Sequence, residues 1–297
     1  RPHRFAKRVA LGLIDVGNSK RYAKSYAPRE RGINYMFSMT FLALQQEGFL
    51  TYSCISSGLT EIRNANIGDS KGSFYTGFFQ LTIGMERIAK LALIVDHMLD
   101  NNKLSLIGKP MKDFGHDLER LYGAVKQIVD RRILDVSWGF NPQQKRILSF
   151  LAKFAKRTRY ANIEIIVGNV ANDPLSEWND ILQDIFNNEV SAIKKQRIVE
   201  NAKIFEYALS ECGYVCANDL NKNELNLNNW LSLPHVIEEA SRRAMVHLVT
   251  LIYPLTEVLG QLADISRDQG MEDIPYMSEF YHFLRVDERT MLNKKKW

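Results

Sequence analysis

The chain has 297 residues, of which 45% are hydrophobic and 25% charged, and a net charge of +5, an ordinary globular composition with ample sequence for a buried core. Its three cysteines, Cys54, Cys212 and Cys216, exclude a disulfide framework, and Cys212 and Cys216 lack the second ligand pair of a zinc site. No apolar run reaches the roughly 18 residues that span a bilayer, Glu86, Arg87 and Lys90 interrupting the best candidate, and no secretory pattern follows the basic start; the expectation is a cytoplasmic protein with no membrane partner.

The charge is uneven. Nine Lys or Arg residues between Arg1 and Arg31 face only Asp15 and Glu30, a local balance of +7 that leaves −2 for the remainder. A basic end on an acidic body is an electrostatic handle for nucleic acid or an acidic partner, and a solvated basic helix gives the same pattern. From there the periodicity is helical almost throughout. Ile33, Met36, Phe37, Phe41 and Leu44 mark one apolar face over Arg31–Glu47, extendable past Gly48 toward Ile62. Turn residues at Gly68, Asp69, Ser70 and Gly72 precede a helix over Ser73–Leu99 that is apolar nearly all round and therefore central. Leu118, Leu121, Tyr122, Val125 and Ile128 define the next helix, ending near Arg131 and Arg132. Asn141 and Pro142 are a cap and a first-turn proline for a helix that runs to Lys153, Lys156, Arg157 and Arg159. Ile163–Val167 has the β-branched content of a strand. Asp173-Pro174 opens a long polar helix toward Cys212, and an Asn-rich loop over Asn218–Asn229 leads to a helix from Pro234 to Ile265, bent at Pro254. Short helices over Pro275–Leu284 and Asp287–Asn293 close the chain. The expected class is all-α: a basic segment over 1–30, a helical bundle over 31–167 and a C-terminal helical region over 168–297.

Enzyme signatures are few. Ile14-Asp-Val-Gly-Asn-Ser-Lys20 resembles the first phosphate loop of actin-like kinases, but a basic stretch broken by Pro28 follows it and the chain holds no Gly-Gly pair for an adenosine loop. There is no Walker loop, Gly-x-Gly-x-x-Gly, His-Glu-x-x-His or nucleophile elbow. Trp138, Tyr160, Trp178 and Trp230 are scattered and do not make an aromatic RNA-binding sheet.

Glu86-Arg-Ile-Ala-Lys90 lies inside the long apolar helix, and Gly115-His-Asp-Leu118 starts the next one after a loop. Asp117 and Glu119 place negative charge in the first turn, where the helix dipole favours it, and His116 sits within reach of free backbone groups or a neighbouring helix. Gly115, His116 and Asp117 thus read as a structural motif. This pairing, over roughly Arg31–Tyr160, resembles the HEPN superfamily of α-helical bundles. The resemblance implies an RNA-binding protein or a metal-independent ribonuclease with no cofactor and no metal, of a toxin or phage-defence kind, working as a homodimer or with a protein partner. Its catalytic signature is an arginine, then four to six residues, then a histidine, on the last bundle helix. Arg157-Thr-Arg-Tyr-Ala-Asn162 supplies arginines and no histidine.

The spacing recurs in Arg242-Arg-Ala-Met-Val-His247, where Glu239, Arg243 and His247 share a helix face and Glu238 stands four residues before Arg242. The catalytic candidates are therefore His247 as acid or base, Arg242 or Arg243 on phosphate and Glu239 as orienting carboxylate. Lys156, Arg157 and Arg159 are the candidates for RNA backbone contact. The alternative is a non-catalytic helical scaffold that uses the bundle for protein association.

Overall fold

The computed structural model describes residues 37–68, 70–101, 112–209 and 214–297; the basic segment 1–30, the phosphate-loop-like Ile14–Lys20 and Cys212 lie outside them. Helix α1 (Met39–Asn64) starts where the Ser38 hydroxyl accepts the Phe41 N–H at 3.1 Å, and continues through Gly48. After a turn the chain returns as α2 (Lys71–Asn101). These two helices approach so closely that glycine is required: a Cβ on Gly77 would lie 2.4 Å from Ile62 Cγ1 and 3.1 Å from the Gly58 carbonyl oxygen. The alternation of small and bulky residues along this seam lets Phe74, Phe78, Leu81 and Met85 reach full burial on the rest of α2.

Helix α3 (Leu118–Arg132) is capped by Asp117, and α4 (Pro142–Lys156) by a reciprocal box in which Asn141 accepts the Gln144 N–H and Gln144 accepts the Asn141 N–H, each at 2.8 Å. Phe150 and Phe154 of α4 and Trp178 each meet Phe78 edge to face, and Phe150 lies tilted on Trp178, with ring centroids 4.8–5.3 Å apart. A 3₁₀ turn, Thr158–Tyr160, leads into α5 (Ala161–Ile166). The strand expected at Ile163–Val167 is thus a helix. The described residues contain no strand to pair with it, so its backbone groups close on themselves, as in the Val167 N–H to Ile163 carbonyl bond at 3.1 Å.

The long polar helix expected after Asp173-Pro174 is two helices, α6 (Pro174–Glu189) and α7 (Ala192–Leu209), divided where Val190 is extended. Asn226 then caps α8 (Leu227–Asp268), which begins inside the expected loop and passes through Pro234 and Pro254. Ile237, Ala240, Ala244, Leu248, Leu251, Leu255, Val258 and Leu262 recur every three or four residues and are buried. By length and composition α8 could cross a membrane, contrary to the sequence expectation, but 67% of its most apolar window is buried inside the protein. It is the core helix. The Tyr122 hydroxyl donates to its Leu251 carbonyl at 3.1 Å, and complete burial pushes that phenol far up. A 3₁₀ helix, Met277–Leu284, and α9 (Glu288–Asn293) finish the chain.

The class is all-α. Residues 38–297 form one compact unit, so the expected boundary at 167 falls between α5 and α6 inside it; α8 packs on α1, α2, α4, α6 and α7.

Candidate functional site

The long helix α2 and the turn before α3 meet at a carboxylate. Glu86 lies on the face of α2 between the buried Met85 and the exposed Ile83, and its two oxygens are divided: Oε1 accepts from Lys90 Nζ at 2.7 Å, and Oε2 pairs with His116 Nδ1 at 2.8 Å. Lys90 also donates to the Gly115 carbonyl at 2.9 Å. Gly115 takes a left-handed φ of +52°, so the turn can present the next residue toward α2 without a Cβ penalty. His116 therefore bonds the neighbouring helix and not its own helix start. Its side chain is 56% exposed, and its Nε2 has no protein partner among the described residues.

Asp117 performs the capping. It accepts the Arg120 N–H at 3.1 Å and pairs with Lys156 Nζ at 2.6 Å, tying α3 to α4. Burial opposes its ionisation, but Lys156 and the Arg120 N–H outweigh that and hold its carboxyl below the ordinary range. The same tie brings the end of α4 and its 3₁₀ extension beside His116. A cleft of about 230 Å³ results, with Glu86, Arg87, His116 and Arg159 on its walls and Phe79 and Thr82 among its lining. Arg159 lies over the Tyr160 ring at 5.1 Å. Arg87 donates to both Glu47 oxygens, at 2.5 and 2.7 Å, and that carboxylate raises its already high pKa. A second depression of about 290 Å³ shares Glu86 and Arg87 and extends along α1 and α2 past Lys90.

The residues of the Arg242–His247 motif lie on α8 in a different setting. His247 is 7% exposed, its Nε2 pairs with Glu189 Oε1 at 2.7 Å, and its Nδ1 is buried without a partner. Arg242 donates to the Leu292 carbonyl at 2.9 Å, to Asn293 Oδ1 at 2.6 Å and to Glu239 at 3.2 Å, fastening α9 to α8. Glu239 pairs besides with Lys194 at 2.7 Å. Glu238 meets Arg63, whose side chain is almost wholly buried, at 2.9 Å, in place of an exclusive pair with Arg242. Arg243 is partly buried with Nε unpartnered. Spacing places these side chains on one helix, but packing assigns them to several neighbours. Of the basic candidates, Arg159 lines the Glu86–His116 cleft, Lys156 is engaged by Asp117, and Arg157 is exposed with no ion pair among the described residues.

The chain matches no family model, no curated protein and no solved structure.

Sequence reasoning did not assign chemistry to Glu86, Arg87 or His116. Both motifs were visible, but their junction spans 30 residues of sequence and depends on a turn geometry that no local pattern encodes. Among the described residues, no group of three or more His, Cys, Asp and Glu is placed to hold a metal ion. What the cleft offers is an imidazole oriented by a carboxylate, with two arginines, Arg87 and Arg159, in the same lining.

Proposed function

We propose that this protein acts on RNA as a metal-independent endoribonuclease, with the Glu86–His116 cleft as its site in place of the Arg–His signature of the HEPN superfamily that it resembles. The observation that carries this reading is the convergence of an exposed, carboxylate-oriented histidine with Arg87 and Arg159 on one open cleft. An imidazole whose Nδ1–H is held by a carboxylate keeps a lone pair at Nε2, the tautomer a general base requires. His116 Nε2 takes the proton of a ribose 2′-hydroxyl, and the 2′-oxygen forms a bond to phosphorus. The bond from phosphorus to the 5′-oxygen breaks, and that oxygen takes the proton back from the His116 imidazolium. Arg87 and Arg159 stabilise the charge that grows on the non-bridging oxygens. Glu86 positions His116 and, through Lys90, the Gly115 turn behind it.

Single-stranded RNA incubated with the wild-type chain and with His116→Gln and Glu86→Gln tests the reading. The expected products end in a cyclic phosphate and a free 5′-hydroxyl. His116→Gln lowers the rate about a hundredfold or more, the usual loss on removing a general base. Absence of cleavage by the wild type, or equal rates in the wild type and His116→Gln, would overturn it.

A further inference from the structure

Helix α5 is amphipathic in the wrong sense for a surface helix. Its buried residue is the small Ala161, whereas Ile163, Ile166 and Val167 are 59%, 82% and 66% exposed. At about 100° per residue, these three fall within roughly 60° of the direction opposite Ala161. The apolar face therefore points away from the protein, and the fully exposed Val170 follows it in the chain just past the helix end. One acid lies in the segment, Glu164, on the flank of that face, and it accepts the Asn169 side chain at 2.6 Å. α5 is held in place from behind by Asn162, whose amide donates to the Tyr75 hydroxyl at 2.8 Å.

The residues leading into α5 are basic. Lys153 and Lys156 have carboxylate partners in Glu177 and Asp117, but Arg157 and Arg159 have none among the described residues. Tyr160, half exposed, stands between the charged and apolar parts with Arg159 over its ring.

We infer that α5, together with Arg157 and Arg159, docks on an anionic lipid bilayer. Aliphatic side chains directed outward from a short helix fit the boundary between headgroups and acyl chains; flanking arginines fit anionic headgroups, and a tyrosine suits the level between them. RNA satisfies the arginines and gives the aliphatic face nothing to be buried in. A second copy of the chain fits less well. α5 has only six residues, whereas a standard interface takes about 20–30 residues and about 800 Å² from each partner.

The test is flotation of the full chain with vesicles of phosphatidylcholine alone and of phosphatidylcholine containing about one-third phosphatidylglycerol. The wild type is expected to float with the anionic vesicles only. Ile166→Glu with Val167→Glu should lower the bound fraction about tenfold or more, and Arg157→Gln about fivefold. All three positions are exposed, so the variants should keep the wild-type melting temperature, measured on the same samples. A Val170→Trp variant adds a direct signal, a blue shift of its emission on anionic vesicles. The inference fails if the wild type does not float with anionic vesicles, or if the two glutamates leave flotation unchanged. It also fails if their effect appears only as dissociation of a dimer in light scattering or as weaker retention of RNA. No RNA is present in the flotation assay, so its failure leaves the ribonuclease reading standing, and the reverse holds.

Discussion

Replacing Asp117 separates the two jobs that this side chain performs beside the cleft. Its carboxylate caps α3 by accepting the Arg120 N–H and pairs with Lys156 across to α4, with side chains 20% and 36% exposed. Loss of a cap costs about 1 kcal/mol, and a partly exposed ion pair adds up to about 1 kcal/mol. Asp117→Ala should therefore destabilise the chain by about 1–2 kcal/mol, roughly 2–4 °C in melting temperature for a unit of this size. Asparagine caps as well as aspartate, so Asp117→Asn isolates the charge and should cost no more than Lys156→Met. Urea unfolding measures all three, with a shifted midpoint at constant slope as the criterion. If Asp117→Asn costs as much as Asp117→Ala while Lys156→Met costs nothing, the division of roles is wrong. The Asp117 carboxyl is depressed below its ordinary 3.8 in the folded chain, so its charge contributes stability above that value and loses it as pH falls through the folded value. The stability gap between wild type and Asp117→Asn should close below about pH 4.

Three further outcomes are expected. Gly77→Val forces a side chain against Ile62 and the Gly58 carbonyl and should cost about 3 kcal/mol or more, read as a lower urea midpoint. Ile133 ends α3 in a left-handed conformation, φ +55°, with a β-branched side chain that is 90% exposed; Ile133→Gly should raise stability by about 1 kcal/mol, and a fall would show that its side chain has a packing role. Glu238 is also depressed: burial raises it, and the Arg63 guanidinium outweighs burial. Arg63→Met should therefore flatten the loss of stability below about pH 4.5 as well as destabilise the chain, and an unchanged acid limb would remove that pair from the account.

Much of the fold was legible because helix starts are chemical. Asn141 with Pro142, Asp173 with Pro174, and Asp287 each cap a helix as their residue types indicate. The misread elements lack such punctuation. Val190 and Ser191 divide α6 from α7 without glycine or proline, and Ile163–Val167 carries strand composition where no strand lies alongside. The site was less legible for a similar reason. Arg242 and His247 satisfied a spacing rule, but a rule along one helix does not say which face the core claims. The buried Ala244, Leu248 and Leu251, three before, one after and four after His247, are the signal that assigns it to the inside. His116 needed the opposite information, a carboxylate 30 residues away on another helix, which only the folded chain brings to it.

The central claim is that His116, and not His247, performs proton transfer on RNA. The direct measurement is the single-turnover rate of cleavage of a single-stranded RNA by wild type, His116→Ala and His247→Ala, each checked by circular dichroism for a helical fold. The account predicts about a hundredfold loss or more for His116→Ala and a near wild-type rate for folded His247→Ala. The reverse order, with His116→Ala active and folded His247→Ala dead, would contradict it.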